Sequence, residues 1–251
     1  MTVYQYQNPP IIEAVCELGF SSDAEWNLSY PWLFYEKIKH IYTGLPREQK
    51  IVGLEQPTQD VESRERTPFK VIEQSKIQFP LEGNSGLVAV SPNLISSHVY
   101  KPYPGWDVFR SRLEEALSKY IEVTNPNGLR KMGLRYINQL SVPDSQHDVA
   151  SYFTIPPANI SEDCIVDNFL FRNEYIYKDE PIRAILNFAR LDAPENTSAY
   201  LLDIDMVWQW PAEPLPLNAV MAKVDELRRR ERVIFEHLIT DRARELFDAN
   251  S

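Results

Sequence analysis

From Ile12 to Phe20 the chain alternates, with Ile12, Ala14, Cys16, Leu18 and Phe20 in one register and Glu13, Val15 and Glu17 in the other. A period of two sends successive side chains to opposite faces of a strand, so the segment predicts a strand with one face buried. Beyond Pro31, which a first helical turn tolerates, Phe34, Ile38, Ile41 and Tyr42 recur at helical spacing and predict an amphipathic helix over 30–43, ended by Gly44. Between 51 and 100 the alternation returns in short pieces, Ile51–Glu55, Phe69–Glu73, Ile77–Leu81 and Leu87–Val90, separated by Pro57, Pro68, Asn84-Ser-Gly86 and Pro92. Such spacing predicts antiparallel hairpins. The polar, proline-bounded run 56–68 reads as a mobile loop.

A second helix opens at Tyr103-Pro-Gly and carries Trp106, Phe109, Leu113, Leu117 and Tyr120 on its apolar side, with Glu115 and Lys119 as a surface pair. Leu129 to Val142 predicts a long strand with Met132, Leu134, Tyr136 and Asn138 on one face and Lys131, Gly133, Arg135 and Ile137 on the other. Pro143-Asp-Ser-Gln-His breaks it. Three further strand-rich stretches, Cys164–Tyr177, Ile182–Leu191 and Ala199–Trp210, read as a meander. The chain finishes in a helix whose apolar side is Leu217, Val220, Val224, Leu227, Ile234 and Leu238. Thr240-Asp241 either caps a last short helix or lies within one long one.

Strands grouped together rather than alternating with helices define an α+β class, with a largely antiparallel sheet, or two, built by two halves and helices packed on one face. The halves are 1–145, an N-terminal α+β unit, and 146–251, a meander plus long helix; one continuous domain is the alternative.

Composition narrows the function. At 43% hydrophobic the 251 residues can bury a full core. The longest apolar runs, such as Ile11-Ile12 and Leu201-Leu202, are far short of the roughly 20 residues a membrane span needs. The N-terminus lacks the basic and apolar regions of a signal peptide, and two cysteines are too few for a disulfide framework, so the expected compartment is the cytoplasm. A net charge of −10 argues against nucleic acid as partner while leaving room for a local basic surface. Arg228, Arg229, Arg230 and Arg232 are the densest such cluster, but Asp225, Glu226, Glu231 and Glu236 interleave with them, and mixed signs at this spacing describe a solvated helix face.

Five ordered blocks, Asn8-Pro-Pro-Ile-Ile-Glu13-Ala-Val, Tyr103-Pro-Gly-Trp106-Asp-Val-Phe109, Gly133-Leu-Arg135-Tyr136-Ile-Asn138, Leu202-Asp203-Ile-Asp205 and Phe235-Glu236-His-Leu-Ile-Thr240-Asp241, span nearly the whole chain. In these blocks the chain resembles a family of sporadically distributed bacterial proteins of about this length, a family without an established activity. The resemblance supplies no catalytic residue or cofactor. The family pattern often carries a histidine in the C-terminal helix where Arg228 to Arg230 stand here. Sporadic occurrence implies horizontally moved cargo, such as defence or toxin–antitoxin accessory genes.

Candidate chemistry is sparse. Asp203 and Asp205 share one face of a predicted strand and could hold Mg²⁺ through oxygen ligands, with Arg135 as a phosphate or carboxylate clamp. The structural alternative pairs these acids with arginines of neighbouring strands, Arg135 or Arg183. His40, His98, His147 and His237 are scattered without zinc spacing. Cys16 falls on an apolar face, Cys164 stands in an acidic setting, and no phosphate loop or nucleophile elbow occurs. Trp208 and Trp210 lie on one face beside a proline-rich run; they either pack under a helix or, if exposed, anchor a partner together with the arginines 228–230. These features favour a non-catalytic interaction or regulatory protein acting with a separately encoded protein partner, without a cofactor and with self-association left open. The alternative is a Mg²⁺-dependent enzyme acting on nucleotides or nucleic acid.

Overall fold

The computed structural model describes residues 4–22, 25–55, 70–143, 149–158, 160–161, 163–164, 166–194, 196–209, 213–247 and 249–250. The expected 56–68 loop, His147 and Trp210 lie outside them. The strands are β1 (Gln5–Tyr6), β2 (Ile11–Ser21), β3 (Arg47–Glu55), β4 (Lys70–Pro80), β5 (Gly86–Ser91), β6 (Leu94–Tyr100), β7 (Gly128–Pro143), β8 (Leu170–Ile176), β9 (Ile182–Leu191), β10 (Thr197–Gln209) and β11 (Ala249–Asn250). The helices are α1 (Tyr30–Ile38), α2 (Trp106–Thr124), α3 (Val220–Leu238) and α4 (Asp241–Glu245). Nine strands form a single antiparallel sheet in the order β3-β4-β5-β6-β2-β7-β10-β9-β8, while β1 and β11 pair at the chain ends. The protein is α+β, with its helices packed on one face of that sheet.

The centre of the sheet follows from two long alternating strands. β2 inserts between β6 and β7, and β7 then pairs with β10, which joins the two halves. Residues opposite one another share a face, so buried rows cross the strands: Cys16, Leu134, Met206 and Ala184 in one, Ala14, Tyr136, Ile204 and Leu186 in the next. α2 crosses β6 and α3 crosses β7 and β10 on this side, closing the core with Phe109, Leu113, Val224, Leu227 and Phe235.

Several elements differ from the sequence expectation. A register shift between Ile11 and Glu13 buries Ile11 and leaves Ile12 half-buried, because a bulge offsets the alternation by one residue. α1 ends at Ile38, although Tyr42 stays buried and its N–H still donates to the Ile38 carbonyl. Of the expected segments Phe69–Glu73 and Ile77–Leu81, Lys70 to Glu73 and Ile77 to Pro80 belong to one strand, β4, and Phe69 lies outside the described residues. β6 is a strand that the alternation hid, since Ser96 and Ser97 are both buried in its middle. The stretch expected to begin at Cys164 is strand only from Leu170, and Cys164 is exposed. Lys119 faces Glu122 at 3.8 Å, and Glu115 meets His40 at 3.2 Å. At the C-terminus the Thr240 side chain accepts from the Ala243 N–H and caps α4, so the final helical region is two helices. Gly105, at φ +92°, supplies the backbone turn into α2 that the Tyr-Pro-Gly sequence signals.

Candidate functional site

β7 presents different chemistry on its two faces. On the helix-free face the Arg135 guanidinium lies across β10 and grips Asp203 with two bonds, Nε to Oδ1 at 2.7 Å and Nη2 to Oδ2 at 2.8 Å. Asn187 of β9 donates to the same Oδ2 at 2.8 Å, so both carboxylate oxygens are engaged. Asp203 is only 2% exposed, whereas the Arg135 side chain keeps 46% of its surface in solvent. A two-pronged fork on a carboxylate is the strong form of this interaction. Asp205 stands directly opposite Arg135 in the β7–β10 register. Its carboxyl is pushed above the usual range by burial, with Arg135 pulling it down and Asp203 adding to the rise.

The same face continues over β2, β6 and β4. Glu13 meets His98 Nδ1 at 2.9 Å, His98 Nε2 lies 3.1 Å from Ser96 Oγ, and Lys76 donates to Glu17 at 2.8 Å. Half-buried Val15, Ile137 and Leu201 lie among these pairs. The result is a mixed apolar and charged surface over the centre of the sheet, on the side the helices leave uncovered.

On the helix side, Tyr136 is fully buried and its hydroxyl lies 3.2 Å from that of Tyr103. Arg228 reaches down from α3 so that its guanidinium carbon sits 4.3 Å from the Tyr136 ring centre and 5.7 Å from that of Trp106. It also donates to Glu231 one turn along α3. Glu231 is 2% exposed and occupies the buried stripe Val224, Leu227, Glu231, Phe235. Burial raises its carboxyl above the ordinary value, against the opposing pull of Arg228 and Arg232. Asn138 donates to the Leu202 carbonyl at 3.0 Å. The cleft among Pro10, Asn138, Arg228, Glu231 and Arg232 holds about 10 Å³, room for no more than a water molecule. Beside it, Glu236 gathers Tyr6, Arg232 and Arg244, tying the N-terminal strand to α3.

These positions revise the site expectations. The solvated-face reading of the arginine cluster holds for Arg229, which is exposed, but fails for Arg228, which lies under α3 against aromatic rings. Arg230 is committed to Glu180 at 2.6 Å and Glu226 at 2.8 Å, with its guanidinium over Tyr177. Trp208 is 4% exposed and belongs to the core, so it offers no surface anchor: even-numbered β10 residues face the helices. Arg183 pairs with Glu174, not with Asp203. Burial pushes the Cys16 thiol far up, away from the reactive thiolate. Sequence reasoning missed the Tyr103–Tyr136–Arg228–Glu231 cluster; the signal was Glu231 falling on the apolar helical stripe. It also missed the Glu13–His98 and Lys76–Glu17 pairs, whose partners are 85 and 59 residues apart.

Four of the five sequence blocks converge here: Glu13, Tyr103 with Trp106, the β7 block, and Asp203 with Asp205 all lie on or against β7 and its neighbours. Among the described residues no group of three or more His, Cys, Asp or Glu is placed to hold a metal ion. Two larger clefts, about 220 Å³ beside Arg190 and Asp192 and about 660 Å³ beside Leu45 and Glu82, contain none of the candidate residues.

Fold and site together define an α+β protein with one broad antiparallel sheet, helices on one face and a mixed charged surface on the other. No protein-family model, curated protein or solved structure matches the chain. Among the described residues no helix is long and apolar enough to cross a membrane.

Proposed function

We propose that the chain is a non-catalytic, cytoplasmic interaction or regulatory protein that receives a separately encoded protein on the helix-free face of its central sheet. The observation that carries this reading is the surface itself. Val15, Ile137 and Leu201 remain half-buried between the Lys76–Glu17, Glu13–His98 and Arg135–Asp203 pairs, so apolar area and fixed charges of both signs are offered together. Protein interfaces use such surfaces, the apolar part for energy and the charges for register. The alternative, a Mg²⁺-dependent enzyme with Asp203 and Asp205 as ligands, requires oxygens that Arg135 and Asn187 already occupy. Coordination there would displace a two-pronged arginine from a buried carboxylate.

The test compares wild type with a Lys131→Glu, Gln139→Lys variant, both positions being exposed on this face. Each is tagged, expressed in the native host, purified and analysed by mass spectrometry. The reading expects a stoichiometric protein with wild type and its loss with the variant. Equal recovery with both sinks the assignment of this face. Saturable Mg²⁺ binding by calorimetry that Asp205→Asn abolishes would move the choice to the enzyme.

A further inference from the structure

The sheet ends at β8, whose outer edge has no neighbouring strand among the described residues. Six of its seven residues are exposed, including Leu170 at 79%, Phe171 at 39%, Tyr175 at 48% and Ile176 at 72%. An open edge bearing large apolar side chains is a template for another strand. The backbone bonds Tyr177 N–H to Ile182 carbonyl and Arg190 N–H to Phe169 carbonyl fix the phase of the β8–β9 ladder. The odd-numbered residues of β8 turn their backbone groups inward to β9. The N–H and C=O groups of Leu170, Arg172, Glu174 and Ile176 therefore point outward, away from the sheet.

The order of side chains decides what fits. Read as Leu-Phe-Arg-Asn-Glu-Tyr-Ile, β8 is chemically palindromic about Asn173. An antiparallel copy with its two-fold axis at Asn173 sets Leu170 opposite Ile176, Phe171 opposite Tyr175, and Arg172 opposite Glu174. In that register each outward-facing residue meets another outward-facing residue, as ladder bonding requires. The two nearest registers with correct phase place Arg172 against Arg172 or Glu174 against Glu174, which like-charge repulsion disfavours. Leu170 and Ile176 share the helix-free face with Arg172 and Glu174, while Phe171 and Tyr175 share the other, so every cross-strand pair is matched on its own face.

We infer that β8 is a self-association edge: two copies of the chain join β8 to β8 antiparallel about Asn173, making one sheet continuous across the dimer. The contact is isologous, closes on itself and leaves no further β8 edge to recruit a third copy. The intrachain contacts of Arg172 with Glu174 and of Glu174 with Arg183, each 2.9 Å and solvent-exposed, exchange with their cross-dimer equivalents at little cost. A seven-residue strand pair buries less than a standard interface, which places this contact among weak, concentration-dependent associations. It is independent of whatever occupies the helix-free centre of the sheet.

Sedimentation velocity on the full chain tests this. Wild type shifts from monomer to dimer as concentration rises through the micromolar range. Arg172→Glu alone and Glu174→Arg alone each remain monomeric, because like charges then face each other. An equimolar mixture of these two variants recovers a heterodimer, because every 172–174 pair is again opposite in sign. Asn173→Cys in a Cys164→Ser background supplies a second readout that keeps the charges intact: under oxidation it forms an intermolecular disulfide, since the two position-173 residues face each other as a non-hydrogen-bonded pair. A monomeric wild type, a variant that dimerises like wild type, a mixture that stays monomeric, or no crosslink at position 173 overturns the proposal.

Discussion

Two arginine–carboxylate pairs lie on opposite faces of one sheet centre, and their surroundings differ more than their chemistry. Arg228 and Glu231 are sealed between α3 and β7, the carboxylate at 2% exposure and the guanidinium resting on Tyr136. Arg135 and Asp203 lie on the face opposite the helices, where the carboxylate is equally buried but the arginine is half in water. The raised Glu231 carboxyl means that its partners do not fully offset the loss of hydration. Asp203 instead has each oxygen met by Arg135 or Asn187. The pairing motif alone therefore says little about what a pair contributes; burial and the count of satisfied oxygens decide it.

The largest effect is expected on the sealed side. Arg228→Ala strands a carboxylate in the core and should cost about 3–5 kcal/mol in urea unfolding, whereas Arg228→Met with Glu231→Leu removes both charges and should restore much of that loss. A double variant no more stable than the single one would break the contrast. On the open side Arg135→Ala should cost about 1–3 kcal/mol, since Asp203 keeps Asn187 and water can enter where the guanidinium lay. If the two single losses were equal, exposure would not be the deciding variable.

Titration sharpens the comparison further. Glu231 has a raised pKa when folded, so between its raised value and its ordinary 4.5 the folded chain binds the extra proton. Its contribution to stability accordingly rises as pH falls through that window and levels off below 4.5. Unfolding measured from neutral pH downward should show wild type gaining on Glu231→Gln. A difference independent of pH would contradict the burial argument. Asp205, also raised, works in the same direction on the open face. The smallest change is expected for Lys131→Glu, on an exposed position of that face, within about 0.5 kcal/mol. That tolerance is what makes it usable as a partner-binding probe.

Much of the scaffold was legible along the chain. The alternation in 12–20 and 129–142 located β2 and β7, the segment Ile182–Leu191 matched β9, and helical spacing located α2 and α3. β6 was not legible because its buried middle is Ser96-Ser97, two small polar residues that break the alternation, with Ser96 Oγ 3.1 Å from His98 Nε2. Arg135 and Asp203 could be named as partners because both lie on long strands with clear phase. Glu231 was missed although it falls on the apolar stripe of α3, because the mixed charges around it read as a solvated face. Trp208 was open to two readings until β10 was placed with its even-numbered side chains under the helices.

By itself the sequence determined the long strands β2, β7, β9 and β10, the helices α2 and α3 and most of the side chains that share a face there, because those follow from local periods of two and 3.6 residues. Only the tertiary structure decided that β2 inserts between β6 and β7, that one sheet joins both halves, that Arg228 turns in against Tyr136 while Arg229 is exposed, and that among the described residues β8 has no neighbour on its outer edge. Strand order and side-chain burial depend on contacts between residues far apart in the chain, and local periodicity carries no term for them.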